Sequence, residues 1–160
     1  MTGVDVHERL LARLDQQGVA YEVIEHGPSY TCEESAAARG TTLAEGGKAL
    51  LCRVGKKGGF QLFVMPSDAR LSTPKLRRVT GERHFRFASR EELAAVTGLT
   101  PGAVPPFGSL FDVPTIADRG LGAGGFLVFN AGRHEISLRL GLDDYLACEA
   151  PQISDIVATD

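Results

Sequence analysis

Two apolar runs, Lys48 to Val54 and Phe60 to Met65, are separated by Gly55-Lys56-Lys57-Gly58-Gly59, and this arrangement constrains the fold more than any other stretch of the chain. Each run is long enough for a strand, and glycines in the connection tolerate the positive φ angles that a tight reversal demands. The pair predicts an antiparallel hairpin and so a sheet. A sheet with an apolar face must be covered, so the flanking sequence has to supply a second layer.

That second layer is legible as helices and further strands. Val6, Leu10, Leu11 and Leu14 recur at helical spacing between Asp5 and Gln17, with Asp5 and Glu8 set as a capping box and Gly18 as the stop. Tyr21 to Ile24 alternates as a short strand until Gly27-Pro28 breaks it. Helices are expected over Glu33 to Arg39, ended by Gly40, over Pro74 to Thr80, and from Ser89, whose N3 partner is Glu92, to Gly98. Arg83 to Phe87 alternates basic residues with phenylalanine. Strands are expected at Thr115 to Asp118, Phe126 to Asn130 and Glu135 to Leu140, followed by a short helix from Leu142 to Cys148. Hairpin-sized loops separate several strands, which favours an α+β fold with a mixed, curved β-sheet flanked by helices over a doubly wound parallel sheet. With no internal repeat and no linker, residues 1–160 read as a single domain.

Composition excludes several functions. The 17 Lys+Arg against 20 Asp+Glu leave a net charge of −3, which is wrong for a uniformly basic nucleic-acid binder. No run approaches the roughly 18 apolar residues of a membrane span. The opening Met-Thr-Gly-Val-Asp-Val-His-Glu carries an acid where a signal peptide needs basic residues and an apolar stretch. The expected location is the cytoplasm, with no membrane partner. The 3 cysteines, Cys32, Cys52 and Cys148, form no CxxC pair and read as reduced, buried filler.

Familiar catalytic signatures are missing or out of context. Gly120, Gly122 and Gly125 satisfy G-x-G-x-x-G, but they lead into the apolar, strand-like Phe126-Leu127-Val128-Phe129 instead of opening a helix, so they read as a loop and not as a dinucleotide site. His7, His26, His84 and His134 have no metal-ligand spacing, and no Ser sits in a G-x-S-x-G elbow. His134 and Glu135 are adjacent on a strand and point to opposite faces, so at most one of them enters a given pocket. No metal and no cofactor are expected. Charge is more informative: Arg70, Lys75, Arg77, Arg78, Arg83, Arg86 and Arg90 face a single acid, Glu82, between positions 70 and 90. A modest basic patch on an acidic protein suits either a solvated surface or transient contact with an RNA backbone.

Two stretches then combine. In Gly46-Gly47-Lys48-Ala49-Leu50-Leu51 a lysine opens a strand after two glycines, and in Gly102-Ala103-Val104-Pro105-Pro106 prolines stiffen a loop. Together with Glu33-Glu34-Ser35, Asp68-Ala69-Arg70 and Asn130-Ala131-Gly132, in that order and spacing from about Asp5 to about Leu146, the sequence resembles the YbaK/ProX family. These are free-standing relatives of the editing domain inserted in bacterial prolyl-tRNA synthetases.

The resemblance implies a trans-acting aminoacyl-tRNA deacylase that cleaves a small mischarged residue, Ala, Cys, Ser or Thr, from a tRNA, with tRNAPro the first candidate. It implies Lys48 and Gly102 at the ester, with Thr31, Ala103, Val104, Pro105, Pro106, Asn130 and Gly132 around the acyl group and terminal adenosine. The charge map offers Arg70, Lys75, Arg77 and Arg78 as the residues that would meet RNA, and the resemblance adds an aminoacyl-tRNA synthetase as a partner and no DNA. An acyl ester is already activated, so placed water and a stabilised oxyanion suffice without a strong nucleophile. The sequence departs from its relatives at Pro105, where they often carry Ser or Thr. It departs also at Asn130, near a Ser of the cysteine-editing type and a His of alanine editors, and at Ser137, where the cysteine-editing type has Asp. Those departures keep open a non-catalytic tRNA-binding or synthetase-associated module of the same fold; a hydrolase of another small ester or thioester is a third reading.

Overall fold

In the computed structural model, which describes residues 3–42 and 44–159, the hairpin is present as β2 (Gly47–Val54) and β3 (Phe60–Pro66), antiparallel with Leu51 opposite Leu62 and Lys48 opposite Met65. Its turn requires glycine. At Gly58 a Cβ would stand 1.5 Å from the Val54 carbonyl oxygen, which no side chain tolerates.

Around this hairpin runs a five-stranded sheet of β4 (Phe85–Phe87), β2, β3, β5 (Thr115–Asp118) and β8 (Gln152–Ser154), in that order. The short β4 pairs antiparallel with only the far end of β2, Cys52 to Val54. On the other side β5 runs parallel to β3, and β8 parallel to β5. The expected mixed sheet is this one. A second, antiparallel sheet has the order β1-β7-β6, from β1 (Tyr21–Glu25), β6 (Phe126–Asn130) and β7 (Ile136–Gly141). Parallel neighbours need long crossovers, and the β5-to-β8 crossover is where β6 and β7 are made. Strand β8 and a 3-10 turn at Gly108–Phe111 have no counterpart in the sequence expectation.

The period-two alternation of the central strands divides the interior. Leu51, Leu62, Val64 and Ala117 face a larger core with Leu10, Leu14, Phe107, Phe129, Leu138 and Tyr145. Cys52, Val54, Phe63, Met65 and Ile116 face a smaller one closed by Leu76 and Ile156. Among the described residues five helices cover these layers: α1 (Gly3–Gln16), α2 (Cys32–Arg39), α3 (Thr73–Thr80), α4 (Arg90–Thr97) and α5 (Leu142–Glu149). Helix α1 is described from Gly3, and the expected Asp5–Glu8 capping box rests on an Asp5 side chain that lies outside the described ones. The Ser89–Glu92 capping box forms as expected, and Gly40, Gly81 and Gly98 end their helices in the left-handed region.

The two sheets meet where β2 starts. Gly46 bridges Val128 of β6, and the Val128 N–H donates to the Glu45 carbonyl at 3.3 Å. A Cβ on Gly47 would lie 2.4 Å from Leu127 Cδ1, so the glycine lets β2 begin in contact with β6. Because β4 covers only the far end of β2, the stretch that carries Lys48 keeps an open edge between the sheets.

Candidate active site

At that open edge lies a cavity of about 220 Å³. Lys48 enters it from β2, Thr31 from the start of α2, Gly102 and Val104 from the proline loop, and Asn130 from the end of β6. Tyr30, Cys32, Ser35, Arg39 and Ser67 complete much of the wall. The chain thus brings Lys48 and Gly102 to one concavity.

Gly102 sits at φ +91°, and a Cβ there would be 2.8 Å from the Tyr30 carbonyl oxygen, so glycine is needed both for the backbone angle and for the close approach. His134 supports the same loop from behind. Its Nδ1 donates to the Ser29 carbonyl at 3.0 Å, its Nε2 accepts from the Thr100 hydroxyl at 2.8 Å, and its ring lies 4.4 Å from that of Tyr30. Thr31 Oγ1 accepts from the Glu34 N–H at 3.1 Å and caps α2, so its hydroxyl is engaged in the helix.

Beneath the cavity runs a buried polar network. Asn130 Oδ1 accepts from Arg39 Nη2 at 3.0 Å and from Ser137 Oγ at 3.1 Å. Asn130 Nδ2 donates to the Gly102 carbonyl at 2.7 Å and to Ser35 Oγ at 3.3 Å. Arg39 Nε donates to Ser137 Oγ at 2.7 Å, and His26 Nε2 lies 2.8 Å from the same oxygen. Burial holds the Arg39 guanidinium at about 10, below the ordinary arginine value but well above neutrality, so it stays a cation. Lys48 and Arg39 line the cavity and, among the described residues, no carboxylate does. The environment favours an electron-rich oxygen such as an ester carbonyl or a phosphate.

Four other expected contact residues stand behind the wall. Ala103 is buried and its carbonyl accepts the Gly132 N–H at 2.9 Å; the Pro105 carbonyl accepts the Phe107 N–H at 2.8 Å; the Pro106 carbonyl accepts the Tyr145 hydroxyl at 2.6 Å. None of Ala103, Pro105, Pro106 and Gly132 lines the cavity. Ala103 belongs to the core around Phe107, and the main-chain bonds just named hold the loop from inside. Among the described residues no serine lining the cavity has a histidine hydrogen-bonded to its hydroxyl. The Ser–His contact of the network uses Ser137, which is fully buried, and burial pushes the Cys52 thiol up to about 12.

The basic residues lie elsewhere. Lys75 Nζ is bound to Asp155 at 2.9 Å and to the Val157 carbonyl at 2.8 Å, fastening α3 to the C-terminal segment instead of facing solvent. Arg77 and Arg78 are exposed on α3, and Arg70 precedes it. Sequence reasoning missed Arg39, Ser35 and Tyr30. Arg39 had a faint signal, a basic residue in the last turn of an Ala-rich helix, which reads equally well as a complement to the helix dipole.

With this geometry in view, residues 26–148 match the family model described as aminoacyl-tRNA editing domain. The chain belongs to that family. It is 33% identical over 158 residues to the Multifunctional Ser/Thr-tRNA deacylase ProXp-y of Escherichia coli (strain K12), covering 94% of this chain and 92% of that one. It is also 33% identical over 109 residues to the Prolyl-tRNA editing protein ProX of Acetoanaerobium sticklandii, covering 68% and 66%. A solved structure described as a candidate trans-editing enzyme for prolyl tRNA synthetase superposes with a TM-score of 0.82 at 28% identity, over 96% of this chain and 98% of that one. The α+β fold expected from the YbaK/ProX resemblance is the fold of this editing domain family. Among the described residues no helix is long and apolar enough to cross a membrane.

Proposed function

We propose that the protein is a trans-acting aminoacyl-tRNA deacylase that removes a small mischarged amino acid from tRNA. The observation that carries this reading is the convergence of Lys48 and Gly102 on one cavity of about 220 Å³, with Asn130 and Val104 beside them. The relatives support it: one is named a Ser/Thr-tRNA deacylase and another a prolyl-tRNA editing protein. Ser and Thr lead the candidate set of Ala, Cys, Ser and Thr, and tRNAPro leads the tRNAs.

Hydrolysis adds water across an acyl–oxygen bond and releases a free amino acid and the 3′-terminal hydroxyl. Water attacks the carbonyl carbon, and the negative charge that builds on the carbonyl oxygen is met by the Lys48 ammonium. The tetrahedral species collapses with the ribose oxygen as leaving group, which takes up a proton. Gly102 admits the ester close to main chain, and the braced loop behind it keeps that main chain from rearranging. Double-sieve logic gives such a site its use, because a synthetase pocket discriminates by only about 1–3 kcal/mol per methylene. A synthetase that makes the errors is the natural working partner.

The test is release of amino acid from a panel of tRNAs charged with Ala, Cys, Ser, Thr or Pro. Turnover on the small residues with the correctly charged tRNA spared is the expected result. Salt-sensitive tRNA binding with no release from any member replaces this reading with the non-catalytic module.

A further inference from the structure

The network under the cavity has a hub that the reaction above does not use. We propose that Arg39 is a positioning residue, which acts through Asn130 to fix the direction of the Gly102 carbonyl; the inference rests on the deacylase reading and assigns part of its machinery.

The argument is one of donors and acceptors. A carboxamide has two faces of opposite sense, an oxygen that only accepts and a nitrogen that only donates. Arg39 is donor-only, so the Asn130 oxygen must face it; the Gly102 carbonyl is acceptor-only, so the Asn130 nitrogen must face that. The two constraints select one orientation of the amide. Ser137 adds a second donor on the oxygen side, and Ser35 accepts on the nitrogen side, which fills the hydrogen-bonding capacity of Asn130. Asn130 lines the cavity but has nothing left for an acyl group, so it acts on the loop.

What this does for catalysis follows from the sign of the carbonyl dipole. Gly102 also lines the cavity, and at a glycine the flanking peptides rotate with little steric resistance. A Gly102 carbonyl turned toward the ester would put partial negative charge beside the forming oxyanion. The 2.7 Å bond from Asn130 fixes the direction of that oxygen and engages it with the amide, which on this proposal keeps it from the oxyanion. Arg39 keeps that clasp from reversing, because a flipped amide would aim its nitrogen at a guanidinium and its oxygen at a carbonyl. A neutral side chain at position 39 would remove half of this selection.

The experiment compares wild type with Arg39→Met and Arg39→Lys, using single-turnover hydrolysis of Ser-tRNAPro, tRNA affinity, and the Asn130 side-chain amide resonances in NMR. Arg39→Met is expected to lower the single-turnover hydrolysis rate at saturating tRNA about 100-fold, as loss of alignment typically does. Arg39→Lys, which keeps the cation without the planar fork, recovers part of the rate. Combining Arg39→Met with Asn130→Ala adds little to either alone, because both break one clasp. In the wild type the Asn130 amide protons are protected from solvent exchange, and Arg39→Met exposes them. A folded Arg39→Met enzyme with the wild-type rate, or with unchanged Asn130 resonances, overturns the proposal. If Arg39→Met does not fold, protected resonances in wild type that weaken in Arg39→Lys support it, and identical ones overturn it. Absence of hydrolysis by the wild type defeats the deacylase reading instead, and the resonances still decide whether Arg39 holds the amide.

Discussion

Asn130 donates its side-chain amide to the carbonyl of Gly102 at 2.7 Å, tying the end of β6 to a loop 28 positions away in the chain. This bond joins the wall of the cavity to the scaffold. Removing it in Asn130→Ala leaves the Gly102 carbonyl and part of the Arg39 guanidinium without their partner, which costs about 1–3 kcal/mol of stability. Thermal or urea unfolding measures that loss. Deacylation is expected to fall further than the stability loss explains at a temperature where the variant is fully folded.

Gly102→Ala tests close approach directly. A Cβ would meet the Tyr30 carbonyl oxygen at 2.8 Å with the backbone at φ +91°, and main chain cannot step aside as a flexible side chain does. Such strain costs about 1–3 kcal/mol. The expected outcome is a lower midpoint of unfolding together with a lower kcat, and both are read on the same preparation.

Thiol chemistry distinguishes the cysteines. Cys52 is 2% exposed and burial drives its thiol up to about 12; burial also raises Cys148. Cys32 lines the cavity. A bulky thiol reagent is therefore expected to label Cys32 first and block hydrolysis, and Cys32→Ser resists the block. Mass spectrometry of the labelled peptides, timed against residual activity, gives the order.

A pH effect is expected away from the site. Glu92 is held down at about 2 by its pairing with Arg86 and the Ser89 main chain, against an ordinary value of 4.5. A carboxyl depressed in the folded state contributes stability above its unfolded pKa and loses it as pH falls through the folded value. Glu92→Gln should therefore lower the melting temperature at pH 7, with the difference from wild type shrinking below about 4.5 and gone at about 2.

What the sequence disclosed follows the range of the interactions. The hairpin, the Ser89 cap and the glycine stops are decided by residues within a few positions of each other, and they stand where periodicity and turn chemistry put them. Lys48 carried no local sign of a role, and the resemblance supplied it. Arg39, Asn130 and Ser137 were not legible as a unit, because Arg39 is 91 positions from Asn130 and 98 from Ser137, and no pattern along the chain records that α2 lands on β6 and β7. Lys75 shows the converse. Its charge read as part of an open patch, while the fold returns Asp155 to it across 80 positions. The parallel pairing of β8 on β5 was hidden for the same reason, since its register depends on a crossover and not on a turn.

The most direct test removes one charge. Lys48→Ala and Lys48→Arg, compared with wild type on the mischarged tRNA that wild type cleaves fastest, separate the ammonium from mere bulk, with circular dichroism confirming the fold. The account predicts that Lys48→Ala loses about 100-fold or more in single-turnover rate, in line with removal of an oxyanion donor, and retains tRNA binding. Hydrolysis by Lys48→Ala at the wild-type rate contradicts it.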